Sequence, residues 1–295
     1  MSKRYALVTG ASGLLGTQLI PVLKNRGYTV IGLAHQHRPD TDVVINDPAE
    51  VADISQHLHL VVNLAGLPIM GRPWTRGYKS RLRESRIGLT EHLIGALHQQ
   101  GITCDHFISG SAIGYYGATE EDCHEDQPAG DDFSARLCAD WEQAAKTAEK
   151  LGAIVTIVRT GLVLSKTGGF LEPFRLPTRC GMRMVFGDGQ QWLSWIDYRD
   201  WLCALEFIIE KHARGTFNLT APEPERQAGF SKTLVANRPV AIPIPLPRFV
   251  FYPLGEMKTL LIDGQKAAPS HLLKLGYEFQ YPTLNASLAD LPFPA

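Results

Sequence analysis

Tyr5-Ala-Leu-Val-Thr9-Gly10-Ala-Ser-Gly13-Leu-Leu-Gly16 is the stretch that decides the architecture of this chain. An apolar, strand-like run ends in glycines spaced G-x-x-G-x-x-G, and a helical pattern follows to about Asn25. Strand, glycine turn and helix in that order form a phosphate-binding turn. Glycines are needed because side chains would block both the tight turn and the approach of backbone N–H groups to a pyrophosphate. The helix amino end then adds partial positive charge. Gly10, Ala11, Ser12, Gly13, Leu14, Leu15 and Gly16 are therefore the expected contacts to a dinucleotide.

Outward from this turn, further short apolar runs occur at Thr29–Leu33, Val43–Ile45, Leu60–Asn63, His106–Ser109 and Ile154–Val158. Their continuous β-branched character, without alternation, indicates strands covered on both faces, hence a parallel sheet between helix layers. The sequence predicts an α/β fold, a doubly wound Rossmann sheet over residues 1–160. A smaller substrate-side lobe over 161–295 follows, with parts of it free to rejoin the sheet. In that lobe Ala241-Ile-Pro-Ile-Pro-Leu-Pro247 cannot be an interior helix or a central strand. Helical patterns return at Trp201–Glu210, Phe249–Leu261 and Ser270–Leu275.

Composition removes several function classes. The 295 residues carry 29 Lys and Arg against 30 Asp and Glu, which leaves no basic excess for a nucleic-acid partner. No apolar run approaches the ~20 residues of a spanning helix. The apolar stretch after Lys3-Arg4 breaks at Thr9-Gly10, too soon for a signal peptide. Five scattered cysteines without a Cys-x-x-Cys pair suit a reducing cytoplasm. His57-x-His59 and Cys123-His124-Glu125 lack a convergent third and fourth ligand in the sequence, so no metal site is expected.

The second strand bears on cofactor choice. An NAD site places Asp or Glu about 20 residues beyond the turn to bind ribose hydroxyls. Here the strand runs out through Ala34-His35-Gln36-His37-Arg38, and the first carboxylate is Asp40. With no acid at the strand end and cations at hand, a 2′-phosphate is favoured. The expected cofactor is NADP rather than NAD, with His35 and Arg38 as contacts. Further on, Thr75–Gln99 is patterned as one helix. Leu82, Leu89, Leu93 and Ala96 share an arc of roughly 60° beside a stripe of Arg76, Lys79, Arg83 and Arg86. Arg86 falls close to the apolar direction, so it should meet a carboxylate, a carbonyl or a phosphate.

Asn63-Leu64-Ala65-Gly66, Trp74, Ser85-Arg86, Ser111-Ala-Ile-Gly-Tyr115-Tyr116-Gly117, Trp141-Glu142, Arg159-Thr160-Gly161, Gln191-Trp192-Leu-Ser-Trp195 and Gly264-Gln265 occur together. In this the chain resembles the extended and atypical short-chain dehydrogenase/reductases, in particular their sugar-nucleotide-epimerase-like subgroup. The likeness runs over essentially the whole chain, including a family-specific segment at about 245–295. It implies an NADP-binding oxidoreductase or nucleotide-sugar epimerase-like enzyme acting on a small molecule, a nucleotide-sugar or another carbonyl compound. Leu64, Ala65, Gly66, Arg86, Thr160 and Gly161 are then expected beside the cofactor, and Trp74, Gln191, Trp192 and Trp195 beside the substrate. The oligomeric state stays open, a homodimer included.

In such enzymes a Ser or Thr orients the substrate oxygen, a Tyr exchanges the proton, and a Lys four residues on lowers the phenol's pKa. Ser111 matches the hydroxyl, but Ser134 and Cys138 occupy the Tyr and Lys places. Three readings stand. Tyr115 or Tyr116 supplies the acid with help from Arg86; Cys138 acts; or the protein binds NADP without turnover, as a sensor or regulatory partner linked to cell division.

Overall fold

The computed structural model describes residues 3–33 and 40–291. Seven strands form its central sheet: β1 (Arg4–Thr9), β2 (Tyr28–Leu33), β3 (Val43–Ile45), β4 (His57–Asn63), β5 (Thr103–Ala112), β6 (Ile154–Thr160) and β7 (Gly215–Leu219). They lie in the order β7-β6-β5-β4-β1-β2-β3, and every pairing is parallel. Strand order reverses between β1 and β4, so the crevice for a ligand opens beyond their carboxyl ends.

Neighbouring side chains of each strand point to opposite faces. Ala6, Val8, Leu60 and Val62 pack on α1 (Leu14–Asn25) and on the helix Tyr198–Glu210. Leu7, Val61 and Phe107 pack on the opposite layer, which includes Leu93, Leu97 and Ala145. Both faces are dry, which is why the strand sequences read as unbroken apolar runs.

The expected single helix over Thr75–Gln99 is interrupted. α2 (Arg76–Arg83) and α3 (Leu89–Gln99) flank a π-helical turn at Glu84–Gly88. The wider turn shifts the helical phase, so Leu82, Leu93, Ile94 and Leu97 are buried while Leu89 and Ala96 are only half-buried.

The second half of the chain contributes β7 and a set of two-stranded pairs. Ile242–Leu246, the proline-punctuated segment, lies parallel to Met182–Phe186, outside the large sheet. A separate apolar cluster around Leu164, Phe174, Trp195 and Phe230 fills this lobe. The last part of the chain is tied down by buried carboxylates. Asp200 accepts from Tyr277 Oη and from the amides of Gln280 and Tyr281 at 2.8–3.0 Å, and Asp197 accepts from Ser287. Burial raises the Asp200 carboxyl above its ordinary value, and these donors partly offset that. Among the described residues, no helix is long and apolar enough to cross a membrane.

Candidate functional site

The glycine turn sits where the crevice opens. Gly10 has φ +67°, and a Cβ there would lie 2.9 Å from the backbone of Leu64 and Ala65. A Cβ on Gly16 would lie 2.2 Å from the Gly10 carbonyl. Gly13 caps α1 with no side-chain hydrogen bond, leaving the helix amino end open to an anion. This cradle of backbone, with no room for side chains, fits a dinucleotide diphosphate. It is fixed by a buried chain of hydrogen bonds. Thr9 Oγ1 donates to Asn63 Oδ1 (2.7 Å) and accepts from the Ala65 amide (3.1 Å), while Thr90 Oγ1 accepts from Asn63 and from the Trp141 indole. The turn is thus bolted to the loop after β4, which carries Leu64, Ala65 and Gly66. His35 and Arg38 lie outside the described residues.

Arg86 leaves the π-turn toward this loop. Its guanidinium lies against Gly66, where a Cβ would come 2.9 Å from Cζ. It donates to the Leu67 carbonyl (3.0 Å) and faces the Trp141 ring at 5.4 Å. Burial holds its pKa below the usual arginine value. The inward direction read from the sequence is therefore present, and the hydrogen-bond partners are neutral oxygens.

The hydroxyls at the end of β5 are committed to the protein interior. Ser111 Oγ donates to Glu142 Oε1 at 2.7 Å, and Glu142 forms a two-point pair with Arg159 at 2.8 and 2.9 Å. Arg159 also donates to Tyr116 Oη (3.0 Å), which in turn donates to Asn218 Oδ1 (2.8 Å). Tyr115 lays its ring 3.4 Å from the Arg159 guanidinium. Burial works against the Arg159 charge, yet the bonds and charge of Glu142 outweigh it and hold its pKa above the ordinary value. Burial also pushes the Tyr116 phenol up to about 12. Ser111 and Tyr116, expected at the reaction centre, thus have hydrogen-bond partners from α4 (Phe133–Lys146), β6 and β7.

Beyond the ends of β5 and β6 lies a cavity of about 190 Å³. Ala112, Ile113 and Gly114 form one side, Thr160 and Gly161 another, and Ser134 and Cys138 project from α4. Ser134 is 5% exposed, and its hydroxyl has no hydrogen-bond partner. The Cys138 thiol is pushed up to about 12 by burial and by the Glu142 carboxylate, so it stays protonated at neutral pH. The chain's last part supplies a wall through Thr259, Leu260, Asp263 and Gly264. Gln191 donates to the Leu261 carbonyl (2.8 Å), and Ser194 donates to the Gln265 carbonyl (2.8 Å).

Of the residues expected at the substrate, Trp192 lines this cavity. Its ring lies 3.8 Å from the Arg226 guanidinium and 5.2 Å from the Lys266 ammonium. The others have protein partners. Trp195 is fully buried and donates to the Glu223 carbonyl. Gln191 spends its amide on the Phe186 and Leu261 carbonyls. Trp74 is buried against Phe133 and donates to the Ile69 carbonyl. At the opposite end of the sheet, Asp105 joins His57 and His59, with ligand-type atoms within 4.8 Å of one another. That third group was invisible in the His-x-His spacing. His57 there bridges Thr103 and Asp105, and His59 accepts from the Tyr5 amide.

A family model described as NAD dependent epimerase/dehydratase family matches residues 6–220. The chain belongs to this epimerase/dehydratase family. A second model, a domain of unknown function (DUF1731), matches residues 242–291 of the same family member. An epimerase family protein of Mycobacterium tuberculosis is 34% identical, with 98% of this chain and 97% of that protein covered. A human epimerase family protein solved with NADPH is 29% identical with a TM-score of 0.86, covering 97% of this chain and 98% of the other. A nucleoside-diphosphate sugar epimerase from Corynebacterium glutamicum is 30% identical with a TM-score of 0.76, covering 98% of this chain and 58% of that one. Membership in the epimerase/dehydratase family accounts for the crevice at the β1–β4 reversal. It does not by itself explain Ser134 and Cys138.

Proposed function

We propose that this chain is an NADP-dependent oxidoreductase of the epimerase/dehydratase family whose reaction pocket lies beyond β5 and β6. The observation that carries the proposal is the glycine turn, pressed on Ala65 and opening onto an uncapped helix amino end. In this reading the amides from Gly10 to Gly16 hold the diphosphate. Leu64–Gly66, Arg86, Thr160 and Gly161 border the remainder of the dinucleotide, and His35 and Arg38 meet the 2′-phosphate. The human relative solved with NADPH supports the same choice. When bound, the cofactor supplies or accepts a hydride.

The protein's own residues then have distinct tasks. Ser111, Glu142, Arg159 and Tyr116 hold the floor of the pocket rigid, and Tyr115 shields Arg159. Arg86 fixes the loop after β4 and brings positive charge to the crevice. Trp192 and the loop 259–265 exclude water from the pocket.

Calorimetric titration with NADPH and NADH tests the proposal. NADPH is expected to bind at least about tenfold more tightly, in line with the ~1.4 kcal/mol that one phosphate contact readily supplies. Equal or tighter NADH binding removes the phosphate assignment, and no affinity for either nucleotide sinks the whole reading. The commitment of the Ser111 and Tyr116 hydroxyls favours a second reading, NADP binding without turnover. Steady hydride exchange between NADPH and any carbonyl compound in the presence of the protein would exclude that second reading.

A further inference from the structure

We infer that the pocket beyond β5 and β6 takes an uncharged, largely apolar ligand carrying a carbonyl or hydroxyl oxygen, which Ser134 orients. The inference rests on the pocket assignment made above and adds the chemical class of its occupant.

The walls are the first argument. The lining is mainly apolar, with Met70, Ile113, Leu162, Trp192, Leu193 and Leu260 among its residues, and no Lys, Arg or His is among the described residues lining the cavity. Its two carboxylates already have partners. Asp132 accepts from the Ala135 amide (2.8 Å), and Asp263 accepts from Arg248 (3.0 Å). An anion brought here would lose its water without gaining a counter-charge, a large penalty. The amino end of α4 would be the natural anion site, and Asp132 itself caps it. The cations that touch its walls at Trp192 and Asp263 are each held by an acid: Arg226 by Glu120, Lys266 by Asp122 and Arg248 by Asp263 itself. A nucleotide diphosphate therefore finds no receptor group in this pocket.

Ser134 is the second argument. A buried hydroxyl without a partner costs free energy in the protein alone, and the cost is recovered when a ligand oxygen accepts its proton. Cys138, one helical turn further on, stays a neutral thiol and adds a soft apolar surface. Of the other lining hydroxyls, Ser194 and Thr259 donate to the Gln265 and Glu256 carbonyls, whereas Ser134 is buried without a partner. A neutral, unmet donor in a mainly apolar chamber matches a ketone, an aldehyde or an alcohol on a hydrocarbon frame.

Saturation-transfer NMR on the full chain, with cyclohexanone, toluene and UDP-glucose as probes, tests the inference. Cyclohexanone is expected to bind, and UDP-glucose in equal amount should leave its signal undiminished. Ser134→Ala should weaken cyclohexanone about five- to tenfold and change toluene by less than about twofold, because only the ketone uses the hydroxyl. The thermal midpoint of the variant checks that it folds. Displacement of cyclohexanone by UDP-glucose, no cyclohexanone binding, or equal effects of Ser134→Ala on ketone and toluene each overturn the inference. NADPH binding is followed in parallel by its fluorescence. A chain that binds the ketone but not NADPH keeps the ligand class and loses the oxidoreductase reading. One that binds NADPH yet prefers UDP-glucose does the reverse.

Discussion

The two ends of the crevice are built from different materials. At the β1–β4 end the walls are backbone: glycines pressed on carbonyls and amides, with the helix amino end left open. At the β5–β6 end they are side chains, and a buried carboxylate–guanidinium pair sits beneath the floor. Backbone walls recognise a charge common to every dinucleotide and tolerate little change. Side-chain walls set what else is bound, and they can be rebuilt while the sheet stays the same. Substitutions in the backbone cradle of the first end should therefore act on nucleotide affinity, and those in the buried pair beneath the second on folding stability.

The largest expected effect is at the buried pair. Glu142→Ala leaves the Arg159 charge without its partner and should cost about 3–5 kcal/mol of stability, read by chemical denaturation. A loss under ~1 kcal/mol would erase the distinction between the two ends. The next effect lies between β5 and β6. His106 on β5 is 1% exposed and hydrogen-bonded to Thr156 on β6, and burial, with His212 nearby, lowers its pKa to about 4. The folded state thus holds fewer protons than the unfolded chain between pH 6.5 and 4. Stability is whole above the unfolded value and declines as pH falls through this window, by ~3 kcal/mol in total. Thermal midpoints across the window should flatten in His106→Gln.

Gly10→Ala should act chiefly on affinity. Its positive φ and the 2.9 Å approach of Ala65 force the turn apart, and NADPH affinity should fall about 100-fold, or ~2.7 kcal/mol. Calorimetry reads the loss, and unchanged affinity would mean that the turn does not grip the nucleotide. The smallest effect sharpens the role of Tyr116. Tyr116→Phe removes the hydroxyl between Arg159 and Asn218 and should cost about 1–2 kcal/mol in stability. NADPH binding should stay within about twofold of the parent. A variant of parental stability that loses any hydride exchange would reinstate Tyr116 as a proton donor.

The same contrast governs what was legible in the sequence. The six strands read from β-branched runs are present because burial on both faces imposes those residues. β7, Gly215-Thr-Phe-Asn-Leu219, escaped notice because a five-residue edge strand with one aromatic gives no run to read. The π-turn at Glu84–Gly88 was hidden by the assumption of a uniform helical phase, although the inward direction of Arg86 survived it. Gly10 and Gly16 were readable since their reason is local backbone geometry. The hydrogen-bond partners of Ser111 and Tyr116 were not legible because they lie 31, 43 and 102 residues away in sequence. Ser134 was visible as a substitution at an expected tyrosine place, but its unmet hydrogen bond is a property of packing alone.

The loop 259–265 and the residues just after it are stapled to parts of the chain made earlier in synthesis: Gln191 and Ser194 donate to the Leu261 and Gln265 carbonyls, and Thr220 and Asn218 to those of Ala267 and Ala268. One wall of the chamber is in place only when this segment docks, and a chain clipped before it lacks Thr259, Leu260, Asp263 and Gly264. Occupancy and docking of this segment are consequently one equilibrium: whatever fills the chamber also slows amide exchange in residues 259–268 and delays their proteolysis.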